Sequence, residues 1–596
     1  MMATSMVTED ELVQEFEDFD IELTDPDVVD KLKELCVVYR LDCSSIVSEW
    51  VAYSISRNDQ KMTVESLEEM EQDRISKKKK KIAKTPTVTS PALFSSDPIA
   101  EESDDLLSAY TPAGKSKHKR LHTTPENPPN KRLQGVHRHG NIPFSPASFS
   151  PPVVATPSQK YSSRSNQYEV VASYGPTSRT SWKGTNAQTC SVQYFDEDSA
   201  LKKNYKYMFH KFTDKASVLN DMIESMAQQL QETHGIESFS HLALPIQESV
   251  TVVGRVCCDT SNGRLNAQSV LLEGSVETSS GKQVMLSLSN IKEFSLFPGQ
   301  IITLDGINST GVKLVASKIY ESIALPLNQS EDTSLADYGP LHVMTAGGPY
   351  TTVDTLSYEP FDDLIRVMVQ ETPDVCILFG PFVDANHAKI KDYTQDPADL
   401  FKIQMMKLVE ATKKIGTHLV IVPSLRDVHH DFIYPQPPFQ IPDSLPDKDR
   451  LHFVSDPCTL SINGVVFGLT SSDILFHLGS EEISHPPGSS DRLGRLTKHI
   501  LTQHNYYPLY PPPECMPIDY EHYEQFAHME VTPDVFISPS DLRWFIKEAC
   551  GCLTINPGRL TRGQVGGTYA KLVITPSENT KTVGVTALSA AQILRI

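Results

Sequence analysis

The sequence predicts a multidomain protein: an N-terminal all-α bundle, a disordered linker, a small β-barrel of the OB type and a C-terminal α/β domain. Three observations carry that expectation. The chain has 596 residues, more than one hydrophobic core serves. Its apolar fraction is 39%, below that of a wholly globular chain, so part of it is expected to be disordered. The hydrophobic pattern also changes along the chain, from helical spacing to none, then to short strands, then to buried strands alternating with helices. The expected boundaries are 1–81 for the helical module, 82–200 for the linker, 201–240 for a helical lead-in that packs on the α/β domain, 241–330 for the barrel and 331–596 for the α/β domain.

The helical module begins with a capping box, Thr8 with Glu11. Asp25-Pro26 then offers an N-cap followed by proline at the first helical position, and Val28, Val29, Leu32, Leu35, Cys36 and Tyr39 recur at helical spacing. Asp42 caps a third expected helix carrying Ile46, Trp50 and Tyr53, and Thr63 a fourth through Leu67 and Met70.

Proline, serine and threonine dominate the next stretch, which reads as a linker. Its Ser/Thr-Pro sites are Thr85, Ser90, Thr111, Thr124, Ser145, Ser150 and Thr156, a density that points to a proline-directed kinase. Each phosphate would add about −1.5 to −2 charges. Lys117, Lys119 and Arg120, then Lys131 and Arg132, have the spacing of a bipartite nuclear import signal.

The lead-in presents Tyr207, Met208, Phe212, Val218, Leu219, Met222, Ile223, Met226 and Leu230 on one apolar face. Five short strands with glycine-bearing turns follow, the pattern of an OB barrel. Its aromatics Phe294, Phe297 and Tyr320 are few, and its basic residues are countered by acids, so a structural or protein-docking role is expected over strand binding. The formal charge of −21 excludes a chain that coats nucleic acid, leaving DNA contact local or indirect. No apolar run is long enough for a membrane span. Ten cysteines without metal spacing read as reduced thiols.

In the α/β domain, three buried strands run into tight loops: Asp374-Val375-Cys376-Ile377-Leu378-Phe379-Gly380, Leu419-Val420-Ile421-Val422-Pro423 and Asp534-Val535-Phe536-Ile537-Ser538. Ligands of such sheets bind beyond the carboxyl ends of the strands. A binuclear phosphoesterase needs Asp, Asn and His there to hold two divalent ions. Here Ala346-Gly347-Gly348-Pro349 follows an earlier strand, Leu341-His342-Val343-Met344-Thr345, without an Asp-x-His pair, and Pro381 stands where a bridging Asp belongs. Asp384 survives alone. Leu425 and Arg426 replace an Asn-His pair ahead of Asp427 and His429, and Ser538 through Asp541 replaces Gly-His-x-His. These positions are vestigial, with no catalytic or metal residue and no cofactor expected. The alternative is a divergent metallophosphoesterase using Asp384, Asp427, His429 and His430.

The same residues carry a family resemblance. Cys376-Ile377-Leu378-Phe379-Gly380-Pro381-Phe382, Pro423-Ser424-Leu425-Arg426-Asp427-Val428-His429-His430 and Tyr506-Tyr507-Pro508-Leu509-Tyr510-Pro511-Pro512 make the chain resemble the B-subunit family of DNA polymerase alpha. Asn556-Pro557-Gly558-Arg559-Leu560-Thr561, Gly563-Gln564-Val565-Gly566-Gly567-Thr568 and Phe297-Pro298-Gly299-Gln300 belong to the same pattern. The resemblance implies a nuclear, non-catalytic accessory subunit of the polymerase alpha–primase complex. It implies an inactivated calcineurin-like phosphoesterase domain that packs on the OB domain and holds the zinc-bearing C-terminal domain of the catalytic subunit, and through it the primase subunits. The N-terminal module is then expected to recruit other replication-initiation proteins.

Overall fold

The computed structural model describes residues 26–39, Ile46, Trp50, Ser66, Leu67 and Met70, and 160–596 apart from 185–186, 261–262, 329–337, 441–444, 487–490 and 577–583. The candidate phosphosites and import signal lie outside the described residues, as do the expected caps at Thr8, Asp42 and Thr63. The chain divides into two compact units, 1–135 and 136–596, each taken by itself.

In the first unit, α1 (Pro26–Tyr39) starts at the proline that the sequence places at its first position. Val28, Val29, Leu32 and Leu35 are buried on one stripe of it. Ile46, Trp50, Leu67 and Met70 are helical and buried as well.

The second unit begins earlier than the sequence predicts. Residues 160–200, expected as linker, carry β1 (Val170–Tyr174) and β2 (Val192–Tyr194). Arg164 and Tyr161 anchor the start of this segment on Asp363. Edge strands are held by backbone pairing on one side, so they need little apolar periodicity, and a composition-based boundary misses them.

Helix α2 (Phe212–His234) buries Val218, Ile223, Met226, Ala227 and Leu230. Gly235 ends it in the left-handed conformation. It packs on barrel residues Val253 and Ile301 as well as on the α/β domain, rather than on the α/β domain alone. Tyr207, Met208 and Phe212, expected on its buried face, are not buried.

The barrel closes through β3 (Ile246–Cys258), β4 (Val270–Glu273), β5 (Gln283–Ser287), β7 (Ile301–Asn308) and β8 (Lys313–Ile319), in the order β3-β4-β5-β8-β7. Alternate residues such as Val252, Val270, Leu272, Val284, Leu286, Ile302, Leu304 and Leu314 fill its interior. Between β5 and β7, β6 (Phe294–Leu296) leaves the barrel and pairs with a strand of the α/β domain, residues 483–485. Gln503 of that domain binds both the N–H (2.7 Å) and the carbonyl (3.1 Å) of Ile301. The two domains are therefore joined by backbone pairing as well as by packing.

The α/β domain is a two-sheet sandwich. A seven-stranded sheet contains β9 (Leu341–Gly347), β10 (Val375–Phe379), β11 (His418–Val422) and β12 (Leu451–Phe453) in parallel at one side. A six-stranded sheet contains β13 (Cys458–Ile462) and β14 (Val465–Leu469), a short β15 (Ile483–His485) being the barrel's partner, then β16 (Val535–Ile537), β17 (Phe545–Ala549) and β18 (Cys552–Asn556). A small hairpin, β19 (Thr561–Arg562) and β20 (Val565–Gly566), leads to β21 (Thr568–Ile574) and β22 (Ser589–Arg595), which continue the larger sheet. β1 pairs with β22 and β2 with β13, so the 160–200 segment edges both sheets.

Strand side chains alternate faces. Cys376 and Leu378 pack with helices α3 (Glu359–Glu371) and α4 (Pro397–Thr412), while Val375, Ile377 and Phe379 pack into the opposite sheet. This accounts for strands that are apolar on both faces. Beyond the six-stranded sheet lie α5 (Ile474–Glu481), α6 (Arg492–Thr502) and α7 (Tyr520–Phe526).

Candidate functional site

The site expected from the sequence lies where β9, β10, β11 and β16 end, and the loop after β14 joins it. Their loops are pressed together. A Cβ on Gly348 would sit 2.1 Å from the Pro381 carbonyl oxygen, and one on Gly380 would sit 2.2 Å from Asp427 Oδ2. Glycine is required at both because neighbouring loops occupy the space of a side chain.

Asp427 is buried at the centre. Its Oδ1 accepts from the Phe382 N–H (2.6 Å) and the Val383 N–H (3.0 Å), and its Oδ2 from the Ser424 N–H (3.1 Å). Burial pushes its carboxyl up to about 7, against the pull of those three donors and with help from nearby Asp384. The side chain thus ties the β10 loop to the β11 loop. Asp384 and Asp427 are bridge partners on adjacent extended segments. Asp384 faces Arg426, which grips both its oxygens through Nε (3.1 Å) and Nη2. A guanidinium fork matches a carboxylate in this way and carries a fixed charge.

A second cluster completes the loop ends. Arg559, just after the Asn556-Pro557-Gly558 turn, is buried. It donates to Asp541 Oδ1 (3.0 Å) and Asp473 Oδ2 (3.3 Å). Asp473 also accepts from the Ser540 hydroxyl and the Asp541 N–H (2.6 Å), and it caps α5 through the Phe476 N–H (3.1 Å). Burial works against the Asp541 carboxylate, yet Arg559, Arg426 and Arg562 hold its carboxyl below the ordinary range. The Asn556 Oδ1 accepts from Ser540 N–H and Gly558 N–H, each at 2.9 Å, fixing the turn that presents Arg559.

His429 does not join the aspartates. Its ring stacks on Phe439 (centroids 5.2 Å apart, 5° between planes) and lies 4.6 Å from Phe401. Both its nitrogens are buried without a hydrogen-bond partner among the described residues. Burial pushes it down to about 4, so it is a neutral aromatic wedge at physiological pH. His430 faces the Pro437 carbonyl at 2.7 Å. Leu425 packs into the core beside α5, and Ser538 is buried with its hydroxyl unpartnered among the described residues. Among the described residues, the one His/Asp/Glu trio with metal spacing is Asp519, Glu521 and His522, at the start of α7 and apart from these loops.

A pair of divalent ions does not fit these residues. A metal site needs converging, uncommitted oxygen and nitrogen donors. The Asp427 oxygens face backbone donors, those of Asp384 face Arg426, and Asp473 and Asp541 share Arg559. The positive charge in the loops is supplied by guanidinium groups. Sequence reading placed Asp384, Arg426 and Asp427 among the loops but missed Arg559 and Asp473 as partners. The signal for Arg559 was its place directly after Asn556-Pro557-Gly558; Asp473 had none beyond following β14.

One pH effect follows from His429. It stays neutral in the fold down to about 4, while the unfolded chain takes up its proton below about 6.5. Its contribution to stability is present above about 6.5 and is lost as pH falls toward 4, by roughly 1–3 kcal/mol. His429→Phe keeps the stacking and removes the titration. Denaturation midpoints at about pH 5 and about pH 7.5 should therefore lie closer together in the variant than in the wild type.

The barrel offers little for bases. Phe297 is fully buried between the domains, Phe294 stacks on His485, and the Tyr320 hydroxyl bonds Asp305 at 3.1 Å.

Residues 343–547 match the family of B subunits of DNA polymerases alpha and epsilon. Residues 216–322 match the OB domain of the DNA polymerase alpha B subunit, and 10–77 match its N-terminal domain. The rat B subunit of DNA polymerase alpha is 45% identical, covering 99% of this chain and 100% of its own length. The mouse protein of the same name is 45% identical over 95% of this chain and 96% of its own. The fission yeast protein is 34% identical over 63% of this chain and 68% of its own. On these matches, the chain belongs to the B-subunit family of DNA polymerase alpha.

Proposed function

We propose that this accessory subunit is a non-catalytic scaffold, which holds the zinc-bearing C-terminal domain of the polymerase alpha catalytic subunit and, through it, the primase subunits. The observation that carries the reading is the charge pattern of the loops. Arg426 pairs with Asp384, and Arg559 with Asp473 and Asp541, so the carboxylates of the loops are committed to guanidinium groups and the sheet is kept for its surface. The barrel and the α/β domain share strand pairing, and a cleft of about 890 Å³ opens between them, lined by Leu219, Arg255, Phe476, Tyr510, Pro512 and Cys515. A partner seated there would touch both domains at once.

The N-terminal module is the element proposed to recruit replication-initiation proteins, and the Ser/Thr-Pro sites of the linker to regulate it. Residence in the nucleus follows from that role and from the candidate import signal at Lys117, Lys119, Arg120, Lys131 and Arg132. No described helix is long and apolar enough to cross a membrane. Co-expression of the full chain with the catalytic subunit's C-terminal domain should yield a complex that survives gel filtration. Separate elution of the two at micromolar concentration would sink the scaffold reading.

A further inference from the structure

Segment 201–215 carries Lys202, Lys203, Lys206, Lys211 and Lys215 against a single acid, Asp214, in a chain whose formal charge is −21. Its inner side chains pin it to the α/β domain. Tyr205 stacks on His522 at 3.9 Å and donates to the Pro435 carbonyl (2.5 Å). The Tyr207 hydroxyl donates to Asp431 (3.3 Å), and the Met208 N–H donates to Asp519 (2.6 Å). Met208 sits at φ +61°, a conformation side chains rarely adopt, and that hydrogen bond helps to hold it there.

The outer side chains are unusual. Phe209 is 79% exposed and Phe212 is 93% exposed. Phe432, next to the Asp431 that Tyr207 binds, is 54% exposed. Lys203 and Lys206 are exposed and make no ion pair with described residues. Lys211 lies between the two phenylalanines in sequence and is exposed too. Exposed aromatics a few residues apart on a pinned backbone mark a binding surface. Cations interleaved with aromatic rings match one chemistry well: phosphates at regular spacing with bases between them.

We propose that this ledge binds single-stranded nucleic acid, with Phe209 and Phe212 stacking on bases and Lys203, Lys206 and Lys211 facing phosphates. The ledge lies outside the barrel, whose own aromatics are engaged within the fold. A peptide strand or helix is the weaker match, because both rings stand out from the surface, whereas peptide recognition buries the peptide's own apolar side chains in a groove.

The test is fluorescence anisotropy of the full chain with a labelled oligothymidylate of about 20 nucleotides, from about 50 to about 200 mM salt. Three phosphate contacts give a slope of log affinity against log salt of about −2. Phe209→Ala/Phe212→Ala should weaken binding about tenfold or more at unchanged thermal stability, since both rings are exposed. Lys203→Ala/Lys206→Ala should weaken binding and flatten the salt slope by about 1.4. Lys282→Ala/Lys313→Ala, on the barrel, should change neither. Absence of wild-type binding at low salt would overturn the proposal, and so would binding by both ledge variants equal to that of the wild type. Tighter capture of polyglutamate than of the oligonucleotide would also overturn it, assigning the ledge to an acidic protein. A loss in the barrel variant matching that of the ledge variants would place the site on the barrel instead.

Discussion

Replacing Arg559 with Met is expected to destabilise the second unit by roughly 3–5 kcal/mol, read as a lower denaturation midpoint at unchanged slope. The guanidinium is buried between Asp473 and Asp541, and Asp473 is itself nearly covered. Methionine keeps much of the volume, so the cost arises from a carboxylate left in the interior without its cation. Removing that carboxylate as well should return part of the stability: Arg559→Met/Asp473→Asn is expected to be more stable than Arg559→Met alone. The rescue is partial, because Asp473 also caps α5 and accepts from the Ser540 hydroxyl and the Asp541 N–H. A single variant as stable as the wild type would mean that the Arg559 cluster contributes no more than an exposed ion pair.

Asp456→Ala is expected to cost a similar roughly 3–5 kcal/mol, by a different route. Asp456 is fully buried at the turn before β13. Its Oδ1 accepts from the Thr470 hydroxyl (2.8 Å) and the Ser471 N–H (2.9 Å), and its Oδ2 from the hydroxyls of Ser471 (2.7 Å) and Ser472 (2.8 Å). Burial raises its carboxyl while those donors pull it back. Alanine leaves a buried backbone N–H and three hydroxyls without this acceptor. Asp456→Asn should cost less, because the amide oxygen still serves Oδ1's donors and the two serine hydroxyls are free to rotate and accept from the amide nitrogen. Comparing the two variants by urea denaturation separates lost hydrogen bonds from lost volume.

The chain's periodicity made its main elements legible. Strands such as Val375–Phe379 announced burial on both faces, and five short strands with glycine turns announced the barrel. The proline at position 26 marked the start of α1. The edge strands β1 and β2 were not legible, because their stability comes from pairing with β22 and β13, far away in sequence. The lead-in face was overextended for a similar reason: Phe212 has helical spacing but sits where no other described element covers it.

At the loops, the missing ligands were legible because residue type alone decides metal chemistry, and Pro381 and Leu425 have no donor to offer. What replaced the ligands was not. Arg559 and Asp473 are 86 residues apart, and only the folded sheet brings the β14 loop against the turn after β18. His429 looked like a companion of Asp427, yet a reversal of the chain turns its ring into the aromatic cluster of Phe401 and Phe439.

The most direct test of the central claim is to purify the full chain, measure its bound metal, and assay phosphodiester hydrolysis with added manganese. Far less than one equivalent of transition metal is expected, with hydrolysis no faster in the wild type than in Asp427→Ala. Near-stoichiometric metal, with hydrolysis that disappears in Asp427→Ala, would show a working phosphoesterase and contradict the account.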